Sequence, residues 1–445
     1  LAGLALVAAV ALVATAAVGA RGFLFAGLAA ADERARSSDS VSGVARSAWA
    51  RRNKRGAAAA VEATATLDGF PPALASLVKP IWRRLVHDVA AALSAPYRFL
   101  RLSKITQEVV SNAQERAATR NSELKRGGAS SSLKSIIPTY MKTHVIARTD
   151  PEDYRQLLNT SINVFVDTLS TDEPYPFKPY HEAVRGPELD YYAWGNDFFR
   201  SMVKYRHSRV EGLEQVAKIR EHLAAGENVV LLANHQTEAD PQVLSILLEI
   251  EGHADLAERC VFVAGHKVTT DPMAVPFSMG RNLLTIFSKK YFETYTEQER
   301  DAKTKRNRQT VLEMQRLLNE GGNILWVAPS GGRDRRNPES GVFEPAKFDA
   351  QSVGLFQILA TKAQKASGTK TRFFPLAMWS HRLLPPPESD KTKVGESRSL
   401  ERGAIAIEFG PEMDPEALGG RKKFPLAAET AMRKHYARLD NLMQR

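Results

Sequence analysis

From Gly226 to Phe409 the chain repeatedly sets a short apolar run beside a longer helical stretch, and this alternation constrains the fold more than any other feature. Asn228–Ala233 (NVVLLA), Cys260–Ala264, Leu283–Phe287, Asn323–Ala328, Phe373–Met378 and Ala404–Phe409 have the length and composition of buried strands. Gln242–Ile250, Glu299–Asn319 and Ser352–Lys365 carry helical spacing between them. Strands apolar on both sides need cover on both sides, so the pattern predicts an α/β domain with a largely parallel or mixed sheet. Its texture begins near Gly186. Leu213, Val216, Ile219 and Leu223 line one face of a helix, and Gly226 is placed to end it. Ligand sites in such sheets lie in the loops at the carboxyl ends of strands, which directs attention to three loops.

Upstream the texture differs. Between about Phe70 and Arg185, prolines at 80, 96, 138 and 151 punctuate helical spacing, as in Leu157, Leu158, Ile162, Phe165 and Leu169. Lys125–Ser132 is a basic, Gly/Ser-rich loop, and no strand pattern of any length precedes Gly226. The expected organisation is therefore a small helical bundle, residues 66–185, followed by a larger α/β catalytic domain with a mixed sheet, residues 186–445. Residues 1–65 read as a leader. The first twenty are uncharged and almost all Ala, Leu, Val and Gly, and the stretch after them is rich in Arg, Ser and Ala and poor in acids. An apolar signal followed by transit-like composition is the pattern of a bipartite address to a plastid bounded by extra membranes. A single membrane anchor with a linker is the alternative reading.

Composition narrows the chemistry. Lys and Arg number 61 against 50 Asp and Glu, which favours acidic partners without choosing among phosphates, carrier proteins, membranes and nucleic acid. The one cysteine, Cys260, excludes an intramolecular disulfide and a multi-cysteine zinc site. It begins an expected buried strand, so it reads as core and not as a nucleophile. No G-x-S-x-G elbow occurs.

The first of the three loops, Asn234–Pro241 (NHQTEADP), offers His235 as a base near neutral pKa and Asp240 as a carboxylate to orient it. The spacing H-x-x-x-x-D recurs, however, at His266/Asp271 and His435/Asp440. The second match also follows a strand and precedes a proline. The third lies on a basic C-terminal helix and reads as a solvated pair. Asp240-Pro241 also reads as a helix cap followed by proline. Spacing alone leaves these open. The second loop, Ala328–Arg336 (APSGGRDRR), combines glycines with Arg333, Arg335 and Arg336, planar forks suited to phosphate. Asp334 could simply neutralise one of them. The third runs from Gly280 to Tyr291 and holds the pair Lys289-Lys290.

In order along the chain, NHQTEADP (Asn234–Pro241), FVAG (Phe262–Gly265), PFSMGRNL after Asp271-Pro272, SKK (Ser288–Lys290), APSGGRDR (Ala328–Arg335), FFPLAMWSH (Phe373–His381) and PPP (Pro385–Pro387) resemble the soluble, plastid-type glycerol-3-phosphate acyltransferase family. The resemblance covers roughly Thr139 to the C-terminus. It implies a helical bundle followed by an α/β catalytic domain. It implies His235 as general base, Asp240 as its partner, and Lys290, Arg333 and Arg335 as phosphate ligands for glycerol 3-phosphate. The family's plant members often carry His after that lysine, where this chain has Tyr291. The implied acyl donor is an acyl carrier protein thioester, with acyl-CoA usable. The apolar segment followed by the Arg/Ser-rich one sets the expected location in the plastid stroma, beside membranes that take the product. No metal, cofactor or nucleic acid is implied. Two other readings stand beside this one: a lysophospholipid acyltransferase, which shares the His/Asp logic, and a non-catalytic anion-binding protein.

Overall fold

The apolar runs between residues 226 and 409 pair with one another in one eight-stranded mixed sheet. In chain order its strands are β1 (Tyr180–His181), β2 (Arg209–Glu211), β3 (Asn228–Ala233), β4 (Val261–Gly265), β5 (Asn282–Ile286), β6 (Ile324–Val327), β9 (Thr371–Trp379) and β10 (Ala406–Phe409), while β7 (Arg335–Arg336) and β8 (Phe343–Glu344) form a separate antiparallel pair. The computed structural model describes residues 98–113, 136–137, 139–144, 149–170, 173–337, 339–386 and 398–444. The leader (1–65), the loop 125–132 and prolines 80, 96 and 138 lie outside them. The chain divides into two compact units, Leu1–Arg101 and Leu102–Arg445, and the sheet belongs to the second.

Across the sheet the order is β1-β5-β4-β6-β3-β9-β10-β2. The five central strands, β5 to β9 in sheet order, run parallel; β1 pairs antiparallel with β5 and β10 antiparallel with β9, and β2 runs parallel to β10. The carboxyl ends of β3, β4, β5, β6 and β9 therefore share one edge. β3 lies inside, between β6 and β9, and all six of its residues are buried. Its side chains alternate: Val229, Leu231 and Ala233 join one hydrophobic cluster, Val230 and Leu232 the other. Full burial of such an aliphatic side chain is worth about 1.5–3 kcal/mol, so this short strand anchors both layers.

One layer consists of α1 (Pro151–Ser170), α2 (Tyr191–Arg200), α3 (Leu213–Ala224) and α4 (Asp240–Ile250), with the short α5 (Ala254–Arg259) and α6 (Val275–Met279). In α1, Leu158, Ile162 and Phe165 are buried and Leu157 is partly so, as the spacing expects; the side chain of Leu169 lies outside the described residues. α4 takes Pro at its second position, where a missing N–H costs nothing. The turn between α6 and β5 needs Gly280, because a Cβ there would lie 2.4 Å from the carbonyl oxygen of Tyr191.

The opposite layer is α7 (Glu297–Glu320), α8 (Ala350–Ser367) and α9 (Gly420–Gln444). α7 opens on a capping box between Thr296 and Glu299. α9 buries Phe424, Ala428, Met432, Tyr436 and Leu439, one stripe at helical spacing.

Two expectations need correction. Strands do precede Gly226, but β1 and β2 have two and three residues, too few to show a period. Cys260 does not begin β4. It caps the C-terminus of α5, one residue before the strand, and is fully buried; burial pushes its thiol up to about 12.

Candidate active site

The loop after β3 closes on itself. Residues 234–237 have no regular structure, and α4 begins at Asp240. His235 Nδ1 lies 2.8 Å from Asp240 Oδ2. A carboxylate only accepts, so in the neutral ring Nδ1 carries the proton and Nε2 keeps its lone pair. Nε2 has no hydrogen-bond partner among the described residues, and the side chain is 25% exposed. The ring meets Trp326 of β6 edge to face, with centroids 5.7 Å apart.

Asp240 is completely buried and accepts three further hydrogen bonds. The backbone N–H of Gln236 donates to Oδ2 at 2.8 Å, and the hydroxyls of Thr237 and Ser380 donate to Oδ1 at 3.1 and 2.5 Å. Its side chain therefore points back at its own loop. It is not the N-cap of α4, a position held by Ala239, which makes no side-chain cap bond.

Neighbouring strand ends lock this loop. Asn234 continues the β3–β9 pairing with its amide, accepting from the Met378 N–H at 2.8 Å and donating to the Met378 carbonyl at 3.0 Å. Gln236 accepts from the Ser380 N–H at 2.7 Å and donates to the Tyr436 hydroxyl of α9 at 2.8 Å. From the loop after β6, the Asp334 N–H donates to the His235 carbonyl at 2.6 Å. The Asp334 carboxylate accepts from Asn234 at 2.7 Å and from the Ala346 N–H at 2.9 Å. Burial pushes that carboxyl up to about 6, although both hydrogen bonds pull the other way. Asp334 thus ties two loops together and does not neutralise a neighbouring arginine.

Arg333 comes to the same edge, 11% exposed, with Nη1 at 3.3 Å from Glu238 of the first loop. Burial alone would raise the Glu238 carboxyl; the charges of Arg398 and Arg333 outweigh it and hold the group below its usual range. Arg398 Nε donates to Glu238 Oε2 at 2.6 Å, and its Nη2 lies 2.9 Å from Asp271 Oδ2. Arg335 is half-buried and curls back on its own loop, with Nη1 donating to the carbonyls of Arg333 and Asp334 at 3.3 and 3.2 Å. Arg336 turns elsewhere, over the ring of Phe343. Lys290 and Tyr291 fall on the short 3-10 helix Lys289–Thr294 after β5, and their side chains lie outside the described residues.

The two other H-x-x-x-x-D matches do not form pairs. His266 Nδ1 bonds the Thr269 hydroxyl at 3.0 Å, and Asp271 pairs with Arg398. His435 Nδ1 bonds the buried Glu408 at 2.5 Å, while Asp440 accepts from the Trp379 indole at 2.8 Å; the expected solvated pair is not present. The contributions of Ser380, Thr237, Glu238 and Arg398 were not anticipated. Ser380 stands at the carboxyl end of β9, where the strand-end rule itself points.

Comparison with known proteins points to the same class of chemistry. A family model described as Acyltransferase matches residues 207–379, a span that includes His235, Asp240 and the arginine loop. Among curated proteins, the chain is 38% identical over 246 residues to the chloroplastic glycerol-3-phosphate acyltransferase of Arabidopsis thaliana, covering 55% of this chain and 52% of that one. It is 34% identical over 293 residues to glycerol-3-phosphate acyltransferase ATS12, chloroplastic, of Cucurbita moschata, covering 66% and 62%. The chloroplastic enzyme of Pisum sativum matches at 36% over 274 residues, covering 61% and 58%. The chain thus spans between about half and two thirds of the length of these relatives.

Proposed function

We propose, from the premise that the chain belongs to the plastid-type glycerol-3-phosphate acyltransferase family, that it moves a fatty acyl group from a thioester onto the sn-1 hydroxyl of glycerol 3-phosphate. The observation that carries this reading is the buried Asp240 carboxylate on His235 Nδ1, with Nε2 left unpartnered among the described residues. As the hydroxyl oxygen attacks the thioester carbonyl, Nε2 takes its proton. Asp240 keeps the ring oriented and stabilises the imidazolium. The tetrahedral intermediate then collapses, the C–S bond breaks, and the leaving thiolate takes the proton from His235. The acceptor's phosphate sits on Arg333, Arg335 and Lys290, with Glu238 and Arg398 setting the position of Arg333. The donor is an acyl carrier protein thioester, with acyl-CoA as a second form.

In this reading residues 1–65 are a leader, 66–185 a helical bundle and 186–445 the catalytic domain. The enzyme works in the plastid stroma, as the chloroplastic names of its relatives support. The deciding assay offers the protein glycerol 3-phosphate and, in parallel, a lysophospholipid, each with carrier and CoA thioesters of several chain lengths. Transfer to glycerol 3-phosphate is expected. Transfer to the lysophospholipid alone would replace this reading.

A further inference from the structure

Several arginines of the described surface stand against carboxylates: Arg155 on Glu108, Arg185 on Asp190 and Glu258, Arg220 on Asp255, Arg372 on Glu227 and Glu412. One cleft gathers cations that do not. It has a volume of about 1250 Å³, and its wall carries Lys204, Arg206, Arg209, Arg336, Arg382 and Arg402. None of the six has a carboxylate within ion-pair distance among the described residues. Among the described residues only two acids, Glu401 and Asp440, line the same cleft, and Asp440 is already engaged by the Trp379 indole and by Gln444. Gathering six like charges without a carboxylate partner among the described residues is unfavourable for the folded chain by itself, so an anionic partner would offset it.

The nature of that partner follows from the walls. The cations come from segments far apart in the chain, and Lys204, Arg206, Arg209, Arg336 and Arg382 are exposed. The volume exceeds the roughly 300–1,000 Å³ usual for a small-molecule pocket. A concave wall suits a protruding object better than a flat bilayer. Three of the five aromatic rings that line it are taken: Arg382 lies 5.0 Å over the Trp379 ring, Arg336 lies 4.6 Å over Phe343, and His381 packs against both rings. The two exposed rings on the cleft, Tyr205 and His207, fall within one three-residue turn and do not form the series of stacking platforms that single-stranded nucleic acid uses along a groove. A protein surface bearing Asp and Glu is the remaining class. The cleft is also next to the chemistry. His381 on its wall has Nδ1 3.3 Å from Gln236 Oε1, and Gln236 adjoins His235.

We infer that this cleft docks an acidic protein and, resting on the acyl-carrier reading above, that the protein is the carrier delivering the thioester. Electrostatic docking of this kind governs encounter and register more than the chemical step.

The test uses the full chain with Lys204→Glu/Arg206→Glu, two exposed positions outside the proposed catalytic and phosphate groups, and Arg382→Ala as a second variant. The Michaelis constant for the carrier thioester should rise about tenfold in the double variant and less in the single one. Those for acyl-CoA and glycerol 3-phosphate should stay within about twofold. Binding of acyl-free holo carrier, measured directly, should weaken in the same order and with added salt. Unchanged carrier values in both variants, or an equal rise for both donors, would overturn the inference. Tighter capture of anionic vesicles than of holo carrier, lost in the double variant, would also overturn it. Should the wild-type protein transfer from neither donor, the acyltransferase reading fails. Holo-carrier binding lost in the double variant would still support the cleft as a docking site.

Discussion

Two stretches of this molecule share a spelling and differ in what they build. His235…Asp240 and His266…Asp271 each follow a parallel strand, keep the same spacing and end before a proline. In the first, the intervening backbone is irregular, and the carboxylate turns back to the imidazole at 2.8 Å. In the second, His266–Thr269 winds into a 3-10 turn. That turn gives His266 Nδ1 a partner three residues on, and it leaves Asp271 to face Arg398. Spacing sets which side chains are within reach, and the backbone between them decides whether they meet. The second stretch still serves the first, because Arg398 passes from Asp271 to Glu238, and Glu238 reaches Arg333.

The largest effect that would break this contrast is expected at His235. His235→Ala should lose about 10²–10⁴-fold in kcat, the usual cost of removing a general base, with little change in melting temperature because the ring is partly exposed. Asp240→Asn is the companion variant. The Asn oxygen can keep the bonds from His235 and Gln236, while its amide group faces the Thr237 and Ser380 hydroxyls, which can rotate to accept. The variant should fold, and its loss of turnover then reports the missing negative charge. A His235→Ala protein that turns over normally would remove the base assignment altogether.

Next in size is the arginine that the first loop holds. Arg333→Ala should raise the Michaelis constant for glycerol 3-phosphate about ten- to a hundredfold, the equivalent of about 1.5–3 kcal/mol for one charge-assisted contact. The donor's constant should move far less. Glu238→Gln sharpens the point: with Arg333 no longer held by a charge, the same constant should rise by a smaller factor. Equal binding of glycerol 3-phosphate by wild type and Arg333→Ala would show the arginine to be structural.

How much of this was legible in the sequence depends on distance along the chain. β3 could be read from six consecutive residues, since an apolar run of that length has to be buried. β1 and β2 could not, because their pairing is supplied by β5 and β10 and not by their own composition. The His235–Asp240 pair was within reach of local reading, but choosing it over His266–Asp271 was not, because the choice depends on backbone shape. Ser380 and Arg398 were out of reach for a different reason. Their bonds to Asp240 and Glu238 span 140 and 160 residues. Such contacts exist only once the parallel strands have put their ends on one edge.

A smaller effect, in stability, concerns the bridge between the two loops. Burial raises the Asp334 carboxyl from 3.8 to about 6. The folded value lies above the unfolded one, so the folded protein favours the protonated form. This stabilising contribution is fully present below about pH 4 and is lost as pH rises through about 6. The shift corresponds to roughly 3 kcal/mol. Asp334→Asn carries no such titration. The stability of the wild type relative to this variant, from denaturant midpoints, should therefore be greatest near pH 4 and shrink by neutral pH. A difference independent of pH across that window would mean that Asp334 titrates normally.

The smallest effect on turnover is expected where the spelling is right and the structure differs. His266 is held neutral, its pKa lowered to about 4 by burial and by the charges of Arg306 and Lys303. It is bonded to Thr269 and packed on Phe287 with ring centroids 3.9 Å apart. Its removal costs packing and one hydrogen bond, a loss of about 1–3 kcal/mol in stability, while kcat with saturating substrates should stay within about threefold, because no proposed step passes through this ring. A further sign separates packing from catalysis. With its folded pKa below the unfolded value of 6.5, His266 contributes stability that is present above about pH 6.5 and lost as pH falls toward 4. His266→Ala should accordingly lose part of the wild type's acid sensitivity. Turnover reduced in His266→Ala as far as in His235→Ala, at equal melting temperature, would make the two stretches chemical equals and undo the distinction between them.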